Sequence, residues 1–213
     1  MTRMKTPMIW KKLLIEGNKI TTSSRIHELA SRLNKGDIRS LRYLQEHGYI
    51  SRILRGIYYV KSADERERGY FQHSVYEMVS KALEVKGVKH WYFGLETALK
   101  LNDMTHEYFA VDYVITDSYR TTKVISILDT KFKFLKWSRW HFEFGIVRKD
   151  GLRRSDEEKT VLDLAYRSYR RGEGSQHAVN LIQENMGMLD RRKFEVFLDR
   201  YPQRFQKVVR ASL

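Results

Sequence analysis

The most constraining feature lies at residues 44–60, LQEHGYISRILRGIYYV, where the spacing of apolar side chains changes at Gly48. Before it the apolar residues recur at helical spacing, and after it they alternate in two short runs joined by Leu54-Arg55-Gly56. A helix stop followed at once by alternation predicts a hairpin docked against a helix, with glycine at both reversals because it tolerates positive φ. Tyr49, Ile50 and Ile53 are suited to anchor such a hairpin, whereas Arg52 and Arg55 are charges in a mostly apolar stretch.

Upstream, Ile9, Trp10, Leu13 and Leu14 mark a short amphipathic helix that ends at Gly17. Ile26, Leu29, Ala30 and Leu33 mark a second, with Ser23 or Ser24 placed as its N-cap. Asn34-Lys35-Gly36 interrupts it, Asp37 can cap a third helix, and that helix runs from about Ile38 to His47. Three helices and a hairpin are the order of a winged helix-turn-helix, whose third helix enters the major groove. On that helix Ile38, Leu41 and Leu44 face a core, Arg39 and Tyr43 sit opposite, and Ser40 and Arg42 flank the outer face.

Arginine reads guanine edges through two hydrogen bonds, and hydroxyl groups bond phosphate. Candidate DNA contacts are therefore Arg39, Ser40, Arg42 and Tyr43 on the helix, Arg52 and Arg55 on the hairpin, and Arg25 and Lys35 toward phosphate. A solvated helix face and a charged hairpin edge are the competing explanations. The distribution of charge favours a polyanion: of a net +14, residues 1–61 hold 13 Lys/Arg against 4 Asp/Glu, or +9, and residues 62–213 hold 27 against 22, or +5. Solubility, or an anionic membrane surface, is the alternative use of such charge.

Zero cysteines exclude disulfides, thiolate metal sites and a cysteine nucleophile. The start lacks a signal-peptide pattern and no apolar run is long enough to span a bilayer, so a soluble, cytoplasmic protein is expected. The polar, charged stretch KSADERERGY suggests a boundary: residues 1–61 as the DNA-binding domain, 62–69 as a linker and 70–213 as a larger α+β domain. In the latter, Phe71, Val75, Met78, Val79, Ala82 and Leu83 mark a helix stopped by Gly87. KHWYF, YFAVDYVIT and KVISILDTKFKFLKW read as strands, with LETALKLN as a helix between the first two. In WHFEFGIV, Trp140, Phe142, Phe144 and Ile146 alternate with His141, Glu143 and Gly145, which also predicts a strand. Ser155 with Glu158 forms a capping-box pattern ahead of Val161, Leu162, Ala165 and Tyr166, and helices finish the chain. Strands followed by helices indicate α+β organisation.

IRSLRYLQEHGYISRILRGIYYV, YFGLETALKLNDM and WHFEFGIVRKDGLRRSDEEKTVLDLAYR together resemble the AbiEi family of antitoxins and transcriptional regulators from viral-defence loci. The last segment is similar to the family's pattern of an aromatic strand, a glycine and a helix, here Glu158, Lys159, Val161, Leu162, Asp163 and Leu164, with Thr160 standing between Lys159 and the apolar pair. The resemblance covers residues 9–171 or so. It implies a winged helix that binds operator double-stranded DNA, inverted repeats where two copies bind, and autorepression. It also implies a C-terminal domain that opposes a nucleotidyltransferase-type toxin.

No cofactor, metal site or enzymatic activity is expected. A metal-dependent nuclease could draw on Asp112, Asp117, Asp129 and Glu143, but their spacing is not diagnostic. His141-Phe142-Glu143 offers two alternating ligands without convergent partners. The Arg167, Arg170, Arg171 cluster suits a helix C-terminus, and RRGEGS is a helix stop rather than a phosphate loop.

Overall fold

The computed structural model describes residues 6–33 and 37–212. The protein is mixed α+β and divides into two compact units, Met1–Lys89 with Ser126–Thr130, and His90–Ile125 with Lys131–Leu213.

The first unit begins with α1 (Thr6–Ile15), β1 (Ile20–Thr22), α2 (Ser23–Arg32) and α3 (Asp37–Glu46), followed by β2 (Ile50–Leu54) and β3 (Ile57–Val60). The expected stripes converge: Ile9, Leu13, Ile26, Leu29, Leu44 and Ile50 form one buried cluster. The α3 stop is a Schellman motif, in which the Tyr49 amide donates to Leu44 O at 2.9 Å and the Gly48 amide to Gln45 O at 3.0 Å. Gly48 sits at φ +67, the left-handed conformation this motif requires. Strand β1 joins the hairpin in an antiparallel sheet of order β1-β3-β2. Three residues are too few for alternation to announce it.

Two local expectations change. The N-cap of α2 is Thr22, whose hydroxyl accepts from the Arg25 amide, rather than Ser23 or Ser24. The Ser23 amide is engaged elsewhere, donating to Gly56 O at 2.9 Å. The Asn34-Lys35-Gly36 break lies outside the described residues. The stretch read as a linker, 62–69, carries α4 (Ala63–Arg68), and the first unit continues through α5 (Val75–Val85). Helix α4 is tied down by Glu65, a buried carboxylate that accepts from Tyr59 Oη at 2.5 Å, Ser62 N at 2.7 Å and Gln72 N at 2.8 Å. Burial pushes the Glu65 carboxyl up, but these donors outweigh it and hold the group below the usual glutamate value.

The second unit contains β4 (Trp91–Phe93), α6 (Glu96–Leu101), β5 (Asp112–Thr116), β6 (Ile125–Ile127), β7 (Thr130–Lys136), β8 (Ile146–Lys149) and β9 (Leu152–Ser155). Four helices follow: α7 (Glu157–Arg171), α8 (Ser175–Asn185), α9 (Arg191–Leu198) and α10 (Gln203–Arg210). The mixed sheet has the order β6-β7-β5-β4-β9-β8, with β4–β9 and β5–β7 parallel. Val161, Leu162 and Ala165 of α7 form a core with Ile182, Phe194 and Phe205.

The strand expected over WHFEFGIV does not form across its first half. Arg139–Phe142 is a 3-10 turn, and β8 begins only at Ile146. His141, read as a polar strand position, is buried and stacked on Trp140 at 3.5 Å, while Gly145 at φ +60 lies against the Lys159 side chain. Tertiary packing of both side-chain sets overrides the period of two. The capping box expected from Ser155 and Glu158 is also replaced. Asp156 caps α7 by accepting from Lys159 N at 3.0 Å, Ser155 Oγ lies 2.7 Å from Thr160 Oγ1, and Glu158 reaches Asp190 N.

Candidate nucleic-acid interface

Helix α3 presents Arg39 and Arg42 to solvent and keeps Leu44 in the core. Arg39 has no ion-pair partner among the described residues. Arg42 is 79% exposed, but its Nε donates to Glu46 Oε1 at 2.6 Å, and that contact raises the guanidinium's proton affinity. An exposed i,i+4 pair is readily exchanged for another anion. Tyr43 is half-buried, stacked 3.8 Å from the His47 ring and 6.2 Å from Tyr49, so the face is narrower than its helical projection indicated.

Ser40 corrects the sequence reading: it is 3% exposed and unsuited to touch DNA. Four residues advance a helix by about 40° beyond a full turn, which puts Ser40 beside Leu44 rather than beside Arg39. Arg25 is engaged within the protein. It pairs with Glu16 and, at 2.5 Å, with Glu28, and hydrogen bonds from Glu16 and then Glu28 push its proton affinity up. Lys35 lies outside the described residues.

Arg52 and Arg55 are brought onto one hairpin, both exposed and both without an ion-pair partner among the described residues. Arg52 stands opposite Tyr58, and the register shifts between Arg52 and Leu54. This bulge explains why Ile53 and Leu54 are consecutive yet both buried, at 2% and 1% exposure. It also explains why strict alternation misplaces the tip: Arg55 takes the turn and Gly56 follows at φ +78, where a Cβ would lie 3.3 Å from Ser23 Oγ. The sequence gave no sign of Arg66 on α4, whose guanidinium stacks 3.6 Å from the Tyr49 ring centre and 4.9 Å from that of Trp10. Its four-residue spacing from Ser62 on a capped helix is the only local clue.

The acidic residues considered for metal chemistry are dispersed. Asp112 is buried against Lys100 at 2.7 Å, whereas Asp129 and Glu143 are exposed. Among the described residues no group of three or more His, Asp or Glu side chains is arranged to hold a metal ion. His141 faces Asp163, not Glu143: its Nδ1 lies 3.4 Å from Asp163 Oδ1, at contact distance without hydrogen-bond geometry.

That contact belongs to a buried ionic cluster which the sequence did not announce. Asp163 accepts from Tyr201 Oη at 2.6 Å, Tyr92 Oη at 2.8 Å and Lys159 Nζ at 3.3 Å. Burial works to raise the Asp163 carboxyl, but Lys159, His141 and the tyrosine hydrogen bond hold it below the usual aspartate value. Burial lowers both Lys159 and His141 against the pull of Asp163, and raises the Tyr92 and Tyr201 phenols, with Asp163 adding to the shift. The arrangement is closed and mutually satisfied, which suits structure more than turnover.

No helix among the described residues is long and apolar enough to cross a membrane. No protein-family model matches the chain, and no curated protein matches it in sequence. Among solved structures the chain is similar to a mixed-fold protein over nearly its whole length. That structure is the RV2827C protein from Mycobacterium tuberculosis, at TM-score 0.59 and 11% identity, with 97% of this chain and 76% of that one covered. At this identity the likeness concerns the fold alone.

Proposed function

We propose that α1 to β3 form a winged helix-turn-helix that binds double-stranded DNA, and that the protein is a cytoplasmic transcriptional regulator of the AbiEi type rather than an enzyme. The observation carrying this reading is that Arg39 on α3 and Arg52 and Arg55 on the hairpin are exposed with no ion-pair partner among the described residues. They lie in the 61-residue stretch with a net charge of +9, from 13 basic and 4 acidic residues. Phosphate neutralisation supplies affinity, and base contact from α3 supplies preference. Arg39 is assigned the base contact, Arg42 a phosphate contact made by exchanging Glu46, and Arg52 and Arg55 contacts from the wing. Repression of its own operon and opposition to a nucleotidyltransferase-type toxin follow from the sequence resemblance.

The test is a gel shift on DNA immediately upstream of the gene, titrated with salt and compared with random DNA. Arg39→Ala is expected to cost about 1–3 kcal/mol on the preferred site and to relax base preference. Equal losses on both DNAs would remove its base-reading role. Arg55→Ala is expected to weaken all sequences and reduce the salt slope by about 0.9; an unchanged slope would place Arg55 in solvent. A wild-type protein with no preference for the upstream DNA would overturn the regulatory reading.

A further inference from the structure

The second unit contains a cavity of about 410 Å3 bounded by α6, α7, α8 and the loop that follows α6, a size in the range of small-molecule sites. Leu99, Leu181 and Met188 give it an apolar side. Three buried polar atoms on its lining residues have no hydrogen-bond partner: Glu96 Oε2, Arg167 Nη1 and Ser168 Oγ. Ser168 is 3% exposed, so its hydroxyl is withdrawn from bulk water. Arg167 and Glu96 hold one another through Nη2 and Oε1, which fixes the orientation of the two free atoms. Unsatisfied polar atoms are rare in protein interiors, and three on one cavity indicate a ligand or ordered water.

The free valences discriminate among ligand classes. Arg167 Nη1 requires an acceptor and Glu96 Oε2 requires a donor, so a simple amine leaves the first unpaired and a simple anion leaves the second. A zwitterion satisfies both. Glu107, Glu173 and Glu184 also line the cavity, an acidic concentration against the +14 of the whole chain.

We propose that this cavity is a binding site for a free basic amino acid, arginine or lysine. The α-carboxylate accepts from Arg167 Nη1 and Ser168 Oγ, and the α-ammonium donates to Glu96 Oε2. The aliphatic stem lies along Leu99 and Leu181, and the distal cation is drawn to Glu107 and Glu184. The site is independent of the DNA-binding reading and would stand if that reading failed.

The experiment is calorimetric titration of the full chain with L-arginine and L-lysine, alongside D-arginine, agmatine, which lacks the carboxylate, and norleucine, which lacks the distal cation. Saturable binding of L-arginine or L-lysine is expected, with each control weaker. Ser168→Ala is expected to weaken binding about 2- to 12-fold, the loss of one hydrogen bond. Ligand-free, this variant should melt no lower than the wild type, because it removes an unpartnered buried hydroxyl. Should it fail to fold, Glu107→Gln with Glu184→Gln supplies a second arm, which should weaken arginine and lysine but not norleucine. No saturable binding up to millimolar concentration, or binding indifferent to both arms, would overturn the proposal and leave ordered water as the occupant.

Discussion

In the first unit Arg39, Arg52 and Arg55 stand in solvent, and Glu65 is the single buried charged side chain among the described residues. In the second unit Lys159 and Asp163 are both 0% exposed, with Arg154, Asp156 and Glu158 also buried. Charge outside a core is cheap to keep and available to a partner, whereas charge inside must be matched group by group. The first unit is thus organised to present cations, and the second to consume them internally.

The largest expected effect tests that contrast where it is strongest. Asp163→Asn leaves Lys159 buried without its counter-charge and should cost about 3–5 kcal/mol in denaturant unfolding. A loss under about 1 kcal/mol would put the pair on the same footing as exposed ones and dissolve the comparison. Next comes pH. Because burial lowers the folded-state pKa of His141, the unfolded chain takes up its proton near pH 6.5 while the folded chain does not. Stability should therefore fall as pH drops below about 6.5, by up to about 1.4 kcal/mol per unit from this group, until folded His141 is itself protonated. His141→Gln should flatten that part of the profile, and an identical slope in the variant would exclude His141 as its source. The smallest effect belongs to the first unit: Gly48→Ala forces a Cβ into the left-handed conformation and should cost about 1 kcal/mol by thermal melting, since nothing lies within 4 Å to add a clash.

The same contrast governs what could be read from the sequence. The helices α1 to α3 and the hairpin were legible because their buried residues are apolar and follow one period at a time, as Leu44 and Ile50 do. Errors arose where geometry departs from that period: Ser40 lies one helical step from the core stripe, and the bulge at Ile53 turns two neighbours inward. The candidate interface was legible to the same extent, since Arg39, Arg52 and Arg55 are exposed, while the local engagement of Arg25 required a distant Glu16 that no spacing rule connects to it. In the second unit Lys159, Asp163 and His141 read as surface positions, because a binary pattern has no symbol for a charge that is buried with its partners. The spacing of Lys159 and Asp163 at i and i+4 was visible, but Tyr92, His141 and Tyr201 reach Asp163 from other parts of the chain.

The bond from the Ser23 amide to the Gly56 carbonyl has a mechanical meaning. It sews the hairpin turn to the first residue of α2, next to the Thr22 cap, so a pull on Arg55 is transmitted through one peptide group into a helix rather than absorbed by a loose loop. The wing is a stiff lever, and the exchange rate of the Ser23 amide hydrogen is the gauge that reads the load on it.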